Sequence, residues 1–141
     1  MLKALLPVDG SPASLRAVEY AIRLARSCEP TEILLVNVQP PVDAPELKSH
    51  LPAAEIEAMQ EARGGDALAA ARALLDAAGV PYSAEVLLGP VAGSIVACAD
   101  KAGCDKIVMG SKGETFLMEA VTGSVAHDVL RLSRIPVTFV R

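Results

Sequence analysis

The chain has no tryptophan and only two phenylalanines and two tyrosines among its 141 residues. Proteins that hold single-stranded nucleic acid stack its bases on aromatic rings, and a chain this poor in rings offers no such platform. Positive charge is thin as well. Thirteen lysines and arginines, scattered along the chain, stand against seventeen aspartates and glutamates for a net charge of −4. That balance leaves no electrostatic footprint for nucleic acid or an anionic membrane, so neither is expected as a partner. Cysteine is scarce: Cys28, Cys98 and Cys104 form neither a CxxC pair nor an even, closely spaced set, and read as inert packing thiols. No apolar run approaches the ~18 residues of a membrane span, and Met1 leads straight into a strand-like run without a basic segment or cleavage site, so a cytoplasmic location is expected. The two histidines, His50 and His127, stand at no metal-ligand spacing from Cys, Asp or Glu. Neither a metal site nor a catalytic residue is expected.

What the chain does have is apolar content, 52% of its residues, enough for one well-buried core. Residues 1–141 are therefore expected to form a single domain. Strand and helix patterns alternate along it. Residues 2–8 are a short apolar run, stopped by Asp9-Gly10-Ser11-Pro12, where Ser11 is suited to cap a helix and Pro12 to begin it. Leu15, Val18, Ile22 and Ala25 then recur at helical spacing up to about Ser27. Residues 33–38 (ILLVNV) form a second buried strand, followed by a Pro-rich loop to Pro52. An Ala-rich helical stretch spans 53–78, with a break or kink expected at Gly64-Gly65, Asp66 capping the second piece and Gly79 ending it. Residues 82–88 are the third strand and 91–102 a helix after Gly89-Pro90. Residues 106–109 are the fourth strand, 125–132 the last helix and 135–140 the last strand. Strands separated by helices pair in parallel, and continuous apolar runs suit a sheet covered on both faces. The fold class is thus α/β, an open parallel sheet of five strands with helices on both faces. Ligands of such sheets bind beyond the carboxyl ends of the strands, where the strand order reverses.

The stretch from Gly110 to Ser124 carries the functional signal. Gly110 and Gly113 stand three apart after a strand, and Gly123-Ser124 opens a helix. Glycines let successive backbone N–H groups curl toward an anion, and the first turn of a helix offers unpaired N–H groups and the positive end of its dipole. This reads as a phosphate-binding loop. It is not a Gly-x4-Gly-Lys-Ser/Thr loop, since Lys112 precedes Gly113 and Glu114 follows it, and no Gly-x-Gly-x-x-Gly dinucleotide pattern occurs. Taken singly, each glycine reads first as a turn residue, and Gly123-Ser124 as an ordinary helix cap; the joint spacing reverses that reading.

The spacing Gly-x2-Gly-x9-Gly-Ser resembles the ATP-binding motif of the universal stress protein family. The resemblance extends from Pro7-Val8-Asp9-Gly10-Ser11 to Ile135-Pro136-Val137. It implies a strand order of 3-2-1-4-5, a Rossmann-like architecture and a nucleotide lying across the first and fourth strands. By that resemblance, Gly110, Ser111, Gly113, Gly123 and Ser124 hold the ribose and phosphates of ATP, largely through backbone N–H groups. Asp9 contacts the nucleoside end, the Val38 backbone meets the adenine edge, and Val8 and Met109 wall the site. Pro7 beside Val8 and Val125 beside Ser124 complete the set. From its own position alone, Asp9 reads first as the acceptor of a local turn hydrogen bond, and it is the glycine spacing that turns the reading to ligand contact. Glu114 and Glu119 lie in the nine-residue spacer, where a carboxylate repels triphosphate or, with water and phosphate oxygens, helps hold Mg²⁺.

The last strand is apolar at Ile135, Val137, Phe139 and Val140 and leaves an unprotected sheet edge, so a homodimer through residues 135–140 is expected, as the resemblance also implies. The function so indicated is that of a small cytoplasmic ATP-binding stress or regulatory protein. Two alternatives stand beside it: a weak ATPase or nucleotidyl transferase, and a dimeric interaction module that binds no nucleotide. No side chain is placed to act as general base, so hydrolysis is expected to be slow at most.

Overall fold

Alternation along the first strand divides the core in two. A computed structural model describes residues 1–27, 30–41, 50–111 and 125–141. In β1 (Leu2–Pro7), Ala4 and Leu6 face one way and Leu5 the other, and all three are buried. Such a strand must be covered on both sides. Ala4 and Leu6 join Val8, Ile33, Leu35 and Val108 under α1 (Pro12–Ser27) and α2 (Ala53–Ala78). Leu5 joins Leu34, Val36, Ile107 and Met109 under α3 (Val91–Ala102) and α4 (Val125–Leu132). The remaining strands are β2 (Thr31–Gln39), β3 (Tyr82–Leu88), β4 (Lys106–Gly110) and β5 (Val137–Val140). All pair in parallel, in the order β3-β2-β1-β4-β5. The α/β class expected from the alternating patterns and the 3-2-1-4-5 order implied by the family resemblance are those of the protein. None of the helices among the described residues is long and apolar enough to cross a membrane.

Most element ends follow local chemistry that the sequence displays. Gly79 closes α2 in the left-handed region at φ 69°, its N–H reaching back to the Asp76 carbonyl while Val80 N–H reaches Leu75. Gly103 closes α3 in the same way. The last strand begins at Val137 and not at Ile135. Pro136 has no N–H to give a ladder, and Ser133 Oγ takes the Ile135 N–H at 3.2 Å while donating to the Ile135 carbonyl at 2.8 Å. β1 stops one residue earlier than expected, at Pro7, and β2 and β4 run slightly longer than the apolar patterns suggest.

One expectation is overturned. A single helix of 26 residues runs through Gly64-Gly65, where the sequence reading allows a break or a kink; there is no break, and Asp66 is an interior residue of α2 and not a cap. Gly64 is buried where α2 lies on β3, and a Cβ there would sit against Val86 Cγ1 and 2.7 Å from its Cγ2. The glycine lets helix and sheet approach; it does not end the helix. Gly64→Ala is accordingly expected to lose about 1–3 kcal/mol of stability by overpacking. In a Val86→Ala background the same change should cost much less, because only the residue-86 Cβ at 3.1 Å remains in the way and alanine is the better helix former. Urea denaturation of the four proteins of that cycle measures the coupling, and additive effects would show that the two residues do not meet.

Candidate functional site

The helices on the two faces of the sheet connect in opposite directions about β1 and β4, so the carboxyl ends of these two neighbouring strands splay into a crevice. A cavity of about 110 Å³ lies there. Its walls come from five segments distant in sequence. Pro7 ends β1 and Val8 and Asp9 follow it, Val36, Asn37 and Val38 lie at the end of β2, Met109 and Gly110 end β4, and Val125 and Ala126 begin α4. Val91 and Ile95 of α3 close the apolar side.

Turn chemistry sets the β1–α1 wall. Asp9 Oδ1 accepts the Ser11 N–H at 2.9 Å, and Ser11 Oγ accepts the Ser14 N–H at 3.2 Å, so two short side chains order the entry to α1. Ser14, itself buried, donates its hydroxyl to the Ser11 carbonyl at 2.9 Å. The first turn of α1 then packs on β4 at Gly110, where an added Cβ would fall 2.5 Å from the Ala13 carbonyl carbon and 3.0 Å from the Ser14 nitrogen. Gly110 is thus a glycine for reasons of space between two backbones. On the β2 side, Asn37 is 4% exposed; its Nδ2 donates to the Val8 carbonyl at 2.7 Å, and its Oδ1 accepts Gln39 Nε2 at 2.7 Å.

Of the residues expected from the sequence, Pro7, Val8, Asp9, Val38, Met109, Gly110 and Val125 line this one cavity. Ser111 adjoins it without lining it, and the Ser111 N–H donates to the Val140 carbonyl of β5 at 2.6 Å. That bond commits the Ser111 N–H to the sheet and leaves the hydroxyl as its contact group. Gly113, Gly123 and Ser124, with Lys112, Glu114 and Glu119, lie outside the described residues. Sequence reasoning missed Ser14, Asn37, Val91 and Ile95 as wall residues. Asn37 had a signal, since a lone polar side chain inside an apolar strand must find partners. Val91 and Ile95 had none that distinguishes them from other core positions.

Asp9 is the single ionisable group among the described lining residues. No group of His, Cys, Asp and Glu among the described residues is arranged to hold a metal ion. His127 and Asp128 stand side by side on α4, but Asp128 meets Arg131 at 3.8 Å, one turn along the helix. Burial pushes the thiols of Cys98 and Cys104 up from their ordinary range, and Glu85 adds to the effect at Cys98. A raised thiol stays protonated and unreactive at neutral pH. Among the described residues, then, the crevice joins apolar walls at Val8, Val36, Val38, Val91, Ile95 and Met109 to the polar side chains of Asp9, Ser11, Ser14 and Asn37.

The family model of the universal stress protein family matches residues 1–141. A universal stress protein of Methanocaldococcus jannaschii, MJ0531, is 35% identical over 141 residues, covering 99% of this chain and 81% of that protein. Among solved structures, the hypothetical protein MJ0577 superposes with a TM-score of 0.77 at 26% identity, covering 98% of this chain and 94% of that one. A universal stress protein crystallised in complex with cAMP superposes with a TM-score of 0.71 at 25% identity, covering 99% and 96%.

Proposed function

The chain belongs to the universal stress protein family, and from that premise we propose that it binds an adenine nucleotide in the crevice beyond β1 and β4. The cavity at the switch point carries this reading: apolar walls at Val8, Val38 and Met109 suit a planar base, and the first turn of α4 at Val125 suits a phosphate. The cAMP complex of a similar protein supports the same ligand class. In this reading the Val38 backbone meets the adenine edge, and Asp9 contacts the nucleoside end beside Pro7. Gly110, the Ser111 hydroxyl, Gly113, Gly123, Ser124 and Val125 surround ribose and phosphates. The ligand is ATP, with Mg²⁺ as a counterion of its phosphates, and its occupancy regulates a cytoplasmic stress-response partner. Mass spectrometry of small molecules released from freshly purified protein should find an adenine nucleotide. A protein that releases none, and takes up neither ATP nor AMP in calorimetry, overturns the reading in favour of an interaction module.

We propose further that the protein is a homodimer. Among the described residues β5 is an edge strand, paired on one side with β4, and Phe139 is 38% exposed on it. An unprotected apolar edge is a template for another strand, and a two-fold axis lets two such edges pair antiparallel. The dimer contact then includes residues 135–140 of each chain. Sedimentation at micromolar concentration should give the dimer mass. Phe139→Lys should shift the population to monomer, and a wild type that sediments as a monomer removes the proposal.

A further inference from the structure

Asn37 takes the place of one rung of the β1–β2 ladder. In a parallel pair, a residue gives its N–H to one carbonyl of the neighbouring strand and accepts the N–H two residues further on. Val8 N–H donates to the Val36 carbonyl at 2.8 Å, so a continued ladder would bring the Val38 N–H to the Val8 carbonyl. That carbonyl accepts Asn37 Nδ2 at 2.7 Å instead, and among the described residues no backbone bond from Val38 to Val8 accompanies it. Gln39 Nε2 holds Asn37 Oδ1 at 2.7 Å, which fixes the amide with its nitrogen toward Val8.

The consequence falls on Val38. Alternate residues of β2 direct their backbone groups to opposite neighbours: Gln39 gives its carbonyl to Gly89 beyond β3, while Val36 serves β1. Val38 therefore turns its N–H and C=O toward β1, which has already ended at Pro7, and Val38 lines the crevice there. One donor and one acceptor side by side match the adenine edge, whose N1 accepts and whose N6 amino group donates.

We infer that Asn37 is a specificity-determining positioning residue for the nucleotide: its side chain occupies the Val8 carbonyl so that the Val38 N–H stays available to adenine N1. The inference rests on the adenine-binding reading above and names what makes the base selectable. Without the Asn37 amide, β1 and β2 zip together by one more residue and the Val38 N–H is consumed by Val8.

The test compares AMP with 1-deaza-AMP, which lacks the N1 acceptor, by calorimetric titration. Wild type should prefer AMP by roughly three- to tenfold, the value of one net hydrogen bond. Asn37→Leu should bind AMP no better than 1-deaza-AMP, a collapse of the ratio that general loosening of the fold does not produce. A ratio retained in Asn37→Leu, or a wild type that does not discriminate, overturns the inference. Amide exchange in the wild type needs no variant: the Val38 N–H should exchange fast in the free protein, slow with AMP and stay fast with 1-deaza-AMP. Protection of Val38 in the free protein also overturns it. Wild type that binds AMP without protecting Val38 removes this inference alone, whereas wild type that binds neither ligand removes the adenine reading and this inference with it.

Discussion

Gly110→Ala is expected to destabilise the protein by about 3 kcal/mol, the upper end of what overpacking costs. The reason is the identity of the neighbour. At Gly64 an added methyl meets the end of a valine side chain, but at Gly110 it meets the Ala13 carbonyl and the Ser14 nitrogen, which belong to the first turn of α1. A side chain can change rotamer; a helical turn held by the Ser11 and Asp9 caps must move as a body. Gly65 supplies the control, because it lies inside α2 with nothing within 4 Å of an added Cβ. Gly65→Ala should stabilise by about 0.5–1 kcal/mol through helix propensity. Urea unfolding followed by circular dichroism measures both. A loss below about 1 kcal/mol at Gly110, judged against that overpacking range, would mean that α1 does not rest on the end of β4. Since that turn carries Ser11, Ala13 and Ser14 of the cavity wall, the same substitution should also weaken whatever the crevice holds.

The contrast between these glycines shows where sequence reading reaches and where it stops. The end of β3 and the start of α3 were legible to the residue because Gly89-Pro90 punctuates them with a local rule that needs no knowledge of the fold. The Gly64-Gly65 pair invites the same rule and defeats it, since the reason for Gly64 lies in Val86, twenty-two positions away (86 − 64 = 22) and on another element. The site divides in the same way. Val8 and Asp9 follow strand one and Met109 and Gly110 end strand four, and the ends of strands about a reversal of order are where a parallel sheet opens. Of the two readings of Asp9, the local turn bond to Ser11 is present, and nothing in that bond prevents the carboxylate from also meeting a ligand. Asn37 stands out in the sequence as a polar residue in an apolar strand, but its partner does not, because the Val8 carbonyl is reached across strands and through a side chain.

ATP is expected to raise the melting temperature by an amount on the order of 10 °C at a hundredfold excess over Kd. A ligand that binds only the folded state adds RT ln(1 + [L]/Kd), about 2.7 kcal/mol at that excess, and a domain of this size shifts by roughly 3–5 °C per kcal/mol. Gly123→Val and Gly113→Val are expected to abolish the shift while leaving the ligand-free protein folded. Each places a branched Cβ where the phosphate-loop reading requires close approach of backbone to ligand. They differ in this from Gly110→Ala, whose damage falls on the ligand-free fold. Asp9 calls for a finer substitution than alanine, because its Oδ1 also orders the entry to α1 through the Ser11 N–H. Asp9→Asn keeps an acceptor for that bond and removes the charge, so the ligand-free melting temperature should hold while the ATP shift changes. Calorimetric titration of ATP into wild type and Gly123→Val, with circular dichroism on both, separates the outcomes. Equal affinity in the two would reduce the glycine spacing to turn chemistry and place the phosphates elsewhere. Loss of binding in a folded Gly123→Val would assign them to the segment between β4 and α4 that carries Gly113 and Gly123.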